Sequence, residues 1–209
     1  MTNIEEIYNG INKSLLNSIE LIDDAEYLFQ NKRFARAYAL FQLGIEEIGK
    51  VTMLFRLVTT YILDGKEIDL NKMKDHKHKY KETFVYDLFM LFALSHKNKT
   101  IDKSLLDTLI YEIQNIDLIN ELKNFSLYTS LIDNKFKIPK DIISEKLVIS
   151  IRYRAMIRLE VVKSFAGTFD SMNYKEYRDS LLQEDSKYIY QSINEYVLSM
   201  MNEFKKAYT

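Results

Sequence analysis

The chain has no cysteine, a single proline and five glycines among its 209 residues. Without cysteine there are no disulfides, thiolate metal sites or thiol nucleophiles, a state compatible with a reducing compartment. So little proline and glycine cannot supply the tight turns of a sandwich, a barrel or a many-stranded sheet, whereas long helices need few breakers. No sign of charge prevails: 29 Lys and Arg face 30 Asp and Glu, for a net charge of −1. This excludes a global positive field that would draw the protein onto nucleic acid or anionic lipid, so DNA is not an expected partner and any basic site must be local. Long hydrophobic runs are missing too. The most apolar stretch, Val85 to Leu94, is about half the length that crosses a bilayer and contains Asp87. Glu5 and Glu6 stand where a signal peptide would be basic and then apolar, so a cytoplasmic protein away from the membrane is expected.

What is present points to helices. Hydrophobic residues make up 47% of the chain, enough to close the core of one domain spanning 1–209. Ile4, Ile7, Ile11, Leu15, Ile19, Ile22 and Phe29 recur at three- and four-residue steps and predict an amphipathic helix over 4–30, with Thr2 and Glu5 as a capping box. A second helix is expected from about Arg33 to Leu63, stopped by Asp64-Gly65. It is apolar on two sides, with Leu40, Leu43, Val51, Leu54 and Val58 on one and Tyr38, Phe41, Ile45, Ile48 and Phe55 on the other. Neighbours must therefore cover both flanks, and we read it as a long central helix.

Further on, a basic segment from Lys72 to Lys81 leads into a helix near Thr83 to Ser95, and His96 to Lys99 reads as a solvated connection. Another helix is expected over Ser104 to Leu122, a turn at Asp133-Asn134-Lys135, and a helix opened by Pro139 that reaches about Ala166. Gly167 to Asn173 breaks the pattern, and Asn173 with Glu176 caps a last helix over about 173–207. The sum is an all-α bundle of about six to seven helices.

Three places hold polar groups with chemical potential. Glu47 shares the angular position of Leu40, Leu43, Val51, Leu54 and Val58, and a carboxylate in an apolar stripe must find a partner. Lys50 reaches either Glu46 or Glu47 along the helix, while Gly44 and Gly49 suggest that another backbone or a ligand comes close. The second place is Asp75-His76-Lys77-His78-Lys79-Tyr80-Lys81, with two of the three histidines; imidazole serves as acid, base or ligand. Histidines two apart do not share a helix face and no third ligand is evident, so neither a metal nor a cofactor is expected. The third is Arg152, Arg154 and Arg158, of which the last two, four apart, would present a phosphate-binding edge. Plainer readings stay open at each: an exposed Glu46–Lys50 pair beside a satisfied Glu47, a solvated basic surface, and a solvated arginine face. No Gly-rich phosphate loop, nucleophile elbow, zinc-protease motif or dinucleotide fingerprint occurs.

The run Arg33-Phe34-Ala35-Arg36-Ala37-Tyr38-Ala39-Leu40, continuing to Ile45-Glu46-Glu47-Ile48-Gly49-Lys50, resembles the opening signature of the AbiV family of abortive-infection proteins, grouped with HEPN-like helical domains. Asp75-His76-Lys77-His78-Lys79 is similar to that family's His-x-x-Lys element, and Lys123-Asn124-Phe125-Ser126-Leu127-Tyr128 and Pro139-Lys140-Asp141 to its later positions, so the likeness covers roughly residues 20 to 165. The resemblance implies a HEPN-like helical bundle, homodimeric, that defends a bacterial population against phage by arresting an infected cell. It selects Glu46, Glu47, Lys50, His76, Lys79 and Tyr128 as the site, with the basic segment lying over the polar notch of the central helix. Many HEPN-like relatives are metal-independent ribonucleases that use an Arg followed four to six residues later by His. Here no Arg precedes His76, His78 or His96 at that spacing. Two expectations follow. In one, the chain is a non-catalytic effector that meets a phage-encoded protein or the translation machinery and halts growth. In the other it cleaves RNA, with His76 as general acid or base and Lys50 or Lys79 on the phosphate, beside Glu47.

Overall fold

The computed structural model describes residues 3–68, 70, 75–98, 103–170 and 172–208. Among them are nine helices and one two-stranded sheet: α1 (Ile4–Gln30), α2 (Phe34–Asp64), α3 (His76–Asn98), α4 (Lys103–Gln114), α5 (Ile116–Leu127), β1 (Ser130–Ile132), β2 (Lys135–Lys137), α6 (Pro139–Ile142), α7 (Glu145–Asp170), α8 (Tyr174–Leu181) and α9 (Glu184–Tyr208). The number exceeds the expected one because single predicted helices divide. Ser104 to Leu122 breaks at Asn115 into α4 and α5, the helix opened by Pro139 breaks after Ile142, and the last helix breaks after Leu181.

The first two helices form an antiparallel pair. Asn3 caps α1 by accepting from the Glu5 N–H at 3.0 Å, in place of the predicted Thr2, which lies outside the described residues. Glu5 and Glu6 then meet the positive end of the helix dipole. At the other end Lys32 takes a positive φ of 56°, and the Arg33 N–H closes back onto the Leu28 carbonyl at 2.8 Å, so the chain reverses within three residues. Close approach is possible because Gly44 faces Ile22; a Cβ there would lie 2.7 Å from the Ile22 side chain. Gly65, left-handed at φ 65°, ends α2 where expected.

Helix α2 is central, packed against α1, α3, α5 and α7. Tyr38, Phe41, Ile45 and Ile48 of α2 meet Ile7, Ile11 and Ile22 of α1 and Val148, Ile151, Ala155 and Val162 of α7 in one core. Each such side chain removed from water contributes roughly 1.5–3 kcal/mol, which is why two broad apolar stripes make α2 the axis of the bundle. Helix α8 is fastened to α2 by a Thr59–Tyr177 hydroxyl bond of 2.7 Å.

Other boundaries depart from the sequence reading. Helix α3 opens at His76, seven residues before Thr83, capped by Asp75, whose carboxylate accepts from the Lys77 N–H at 2.9 Å. The histidines thus lie on its first turns, and the helix continues through His96 to Asn98, where a connection was expected; Lys72 to Lys74 and Lys99 fall outside the described residues. Helix α7 runs through Gly167 to Asp170. The predicted turn at Asp133-Asn134 joins two strands, with Ser130 opposite Lys137 and Leu131 opposite Phe136. Both turn residues have positive φ, 51° and 59°, as the tightest hairpins need. Asn173 and Glu176 form the predicted capping box, with bonds of 3.0 and 2.9 Å. No helix among the described residues is long and apolar enough to cross a membrane.

Candidate functional site

Neighbouring acids on a helix point about 100° apart, so Glu46 and Glu47 leave α2 on different sides. Glu46, 3% exposed, turns towards α3 and α5. One of its carboxylate oxygens accepts from the Lys123 ammonium of α5 at 2.6 Å, and the other lies 2.5 Å from Nδ1 of His76 on α3. An ionised carboxylate only accepts, so Nδ1 carries the proton in this bond, and Nε2 is the acceptor in the neutral ring. The carboxylate is sealed: the cleft beside it, lined by Gln42, His76, Tyr80 and Asn120, leaves no room for a water molecule. The His76 side chain is 55% exposed. The arrangement is therefore a buried acid, satisfied on both oxygens, with an imidazole as its outlet to solvent. One turn earlier, Oε1 of Gln42 is buried with no partner among the described residues, a cost of about 1–3 kcal/mol.

Gly49 sets the geometry of the cluster. A Cβ at this position would sit 2.1 Å from the Lys79 carbonyl oxygen, so the backbones of α2 and α3 touch there. Gly49 follows Glu46 by three residues and Lys79 follows His76 by three, so the contact lies one turn from the ion pair on both helices. Any side chain at 49 would push α3 away and separate His76 from Glu46.

Glu47 belongs to another place. It pairs with Lys50 through both oxygens, at 2.6 and 2.7 Å, on the side of α2 that faces α1. These two line a groove of about 330 Å³ with Glu6 and Lys13 of α1, themselves 2.6 Å apart. The single notch expected from the sequence, with the basic segment over Glu46, Glu47 and Lys50 together, is thus split by α2 into two sites. Glu47 pairs with Lys50 rather than with Lys79 or His76, and the more deeply buried acid is Glu46. Lys79 is buried and contributes its backbone to the Gly49 contact. Tyr128 is exposed past the last turn of α5, where its N–H bonds the Asn124 carbonyl at 2.9 Å. His78 lies 3.3 Å from Glu82, which also receives Arg56 at 2.8 Å.

Arg154 and Arg158 do not form an open phosphate edge. Arg158 is buried between Asp87 of α3 and Glu112 of α4, at 2.5 and 2.8 Å, and Arg154 reaches the other oxygen of Glu112 at 3.0 Å. The Tyr80 hydroxyl donates to Glu112 at 3.1 Å, and its ring lies under the Arg158 guanidinium, 5.5 Å away. Burial pushes the Glu112 carboxyl up, but Arg158 and Arg154 outweigh it and hold the group below its ordinary range. At Asp87 burial prevails over Arg158 and the group is raised. Nη1 of Arg158 is left without a partner among the described residues. Arg152 clamps Glu26 of α1 with bonds of 2.6 and 3.0 Å, over the Phe29 ring.

Lys123 is the functional candidate that residue-by-residue reading missed. It lies on α5 between Ile119 and Ser126, at four- and three-residue steps, and all three are buried. The argument that singled out Glu47, a charge inside a buried stripe, applies to it as well. No group of three or more His, Asp or Glu side chains among the described residues is placed to hold a metal ion.

A long antiparallel helix pair wrapped by shorter helices, with a histidine set against a buried acid, makes an all-α bundle. Within that class, residues 6–160 match the family model of AbiV, so the chain belongs to the AbiV family. The matched span begins earlier than the likeness in the sequence and takes in nearly all of α1. Its role is accordingly abortive infection, an anti-phage defence. No curated protein and no solved structure matches the chain.

Proposed function

We propose that the chain is a cytoplasmic effector, activated on infection, that arrests growth by binding a phage protein and blocking translation without cutting RNA. One observation carries this reading: four cations of the candidate sites are already held by carboxylates. Lys123 is held by Glu46, Lys50 by Glu47, Arg158 by Asp87 and Glu112, and Arg154 by Glu112. Cleavage of RNA needs positive groups available to the phosphate as charge develops, and an incoming phosphate would have to displace an acid from each. The missing Arg-to-His spacing and the net charge of −1 agree. The test uses purified protein in a translating extract, with and without lysate from infected cells. The expected result is arrested protein synthesis with intact ribosomal, transfer and messenger RNA; trigger-dependent RNA ends overturn it.

A second reading has an observation of its own. His76, with Nδ1 on a buried carboxylate and its side chain half exposed, has the geometry of an oriented general base or acid. As a ribonuclease, the chain would lose all toxicity in His76→Ala and gain new RNA ends only with His76 present. A toxic, folded His76→Ala protein removes this reading.

A further inference from the structure

Gly10 of α1 is unlike the two glycines inside α2. A Cβ on Gly44 or Gly49 would run into a neighbouring helix, at 2.7 and 2.1 Å, so packing demands both. A Cβ on Gly10 would meet only the tip of the Leu54 side chain, at 3.2 Å. Packing there admits alanine with a small shift of a flexible neighbour, and alanine would hold the helix better. What glycine preserves at this position is space. Gly10 lines the groove of about 330 Å³ between α1 and α2, in a row with Glu6, Lys13 and Asn17 at four-, three- and four-residue steps. Of these four residues it alone has no side chain.

The groove joins an apolar base to a charged rim. Ile7 and Leu54, both buried, line it beside Gly10, together with Leu70. Glu6 and Lys13 stand two turns apart, about 10 Å along the axis. Their charged ends are nevertheless 2.6 Å apart, so the two side chains lean together above Gly10. They are 58% and 68% exposed, and so solvated a pair contributes little and opens readily. Glu47 and Lys50 face the same space from α2 and are far less exposed, at 12% and 24%. The rim thus holds two acids and two bases. A lone anion entering here is repelled by the acids, and a lone cation by the bases. A molecule with both charges exchanges the Glu6–Lys13 pair for two pairs of its own, its carboxylate on a lysine and its ammonium on a glutamate. We propose that this groove binds an apolar zwitterion of amino-acid to dipeptide size, its side chain lying over Gly10 against Ile7, Leu54 and Leu70. The volume is at the small end of ligand pockets, which run from roughly 300 to 1,000 Å³, as suits such a molecule. The site shares no residue with the Glu46–His76 cluster, and its occupancy does not depend on how the protein arrests growth.

Calorimetric titration of the full chain with L-leucine and with L-leucyl-L-leucine tests the proposal, the two arms separating a free amino acid from a short peptide. Saturable binding of at least one is expected. 4-Methylpentanoate and 3-methylbutylamine, which keep the side chain and one charge each, bind at least tenfold more weakly, as does free glycine, which keeps only the charges. Gly10→Gln fills the groove from the face of α1; it leaves circular dichroism unchanged and weakens leucine or dipeptide binding at least tenfold. Glu6→Gln removes a partner of the ammonium and weakens leucine more than 4-methylpentanoate. Gly10→Ala raises the melting temperature of the ligand-free protein, a result that a glycine demanded by packing cannot give. The proposal is overturned if neither leucine nor its dipeptide saturates, if the single-charge analogues bind as well, if Gly10→Gln binds as tightly as the unaltered chain, or if Gly10→Ala melts lower.

Discussion

The charged clusters around Arg158 and around Glu46 are closed to different degrees. Around Arg158, two acids and two arginines from three helices pair with one another, with Tyr80 stacked beneath and only Nη1 of Arg158 left without a partner among the described residues of the cluster. Around Glu46, one acid meets one lysine and a histidine whose side chain is half in solvent. The first has no titratable group held half in water and acts as a clamp between α3, α4 and α7. The second ends at an imidazole that reaches solvent. A buried charge is thus no sign of chemistry by itself; what separates the two is whether the cluster has an outlet.

That contrast can be broken at several points. The largest effect is expected for Arg158→Leu, which strands Asp87 in the core, leaves Glu112 only Arg154 and Tyr80, and costs about 4 kcal/mol in urea unfolding. A loss under about 1 kcal/mol would mean that the clamp is solvated. Gly49→Ala comes next, at about 3 kcal/mol, because the added Cβ runs into the Lys79 carbonyl; it should also abolish phage protection by moving His76. Glu46→Gln leaves Lys123 without its counter-charge and costs about 2 kcal/mol, with protection lost. His76→Ala changes stability by less than about 1 kcal/mol, since its ring is half in water, yet removes protection. Full protection with an unchanged melting curve would make the Glu46 cluster structural like the other.

The smallest effect is on acid stability. Glu112 is held below its ordinary value, so its contribution is present above about pH 4.3 and is lost as pH falls through the folded value. Asp87 is raised, so its contribution is present below about pH 3.9 and is lost as pH rises through its folded value. The two oppose each other, and stability measured between about pH 5 and pH 3 should move by under about 1 kcal/mol. In Arg158→Leu the larger cause of the Glu112 lowering is gone while Arg154 remains, and the acid loss from that group should shrink.

Much of this fold was legible. Helices α1 and α2 have dense apolar periodicity, and Gly65 and Asn173 are strong local signals, so their ends fall within a residue or two of expectation. The start of α3 was hidden because His76 to Lys81 is almost wholly polar, and a helix without an apolar stripe looks like a loop. The break at Asn115 carries no glycine or proline. At the site, Glu46 and Glu47 were assigned to the wrong environments because α2 is apolar on two broad sides, and either acid fits one of them. His76 and Glu46 are thirty residues apart and Lys123 is seventy-seven from Glu46; such pairing is decided by packing, which no local pattern encodes.

The touching backbones at Gly49 and Lys79 bear on how such a protein can vary. Because that seat sets where His76 comes to rest, the number of residues between the two is fixed. A single residue deleted between His76 and Lys79 would rotate the ring by about a quarter turn away from Glu46.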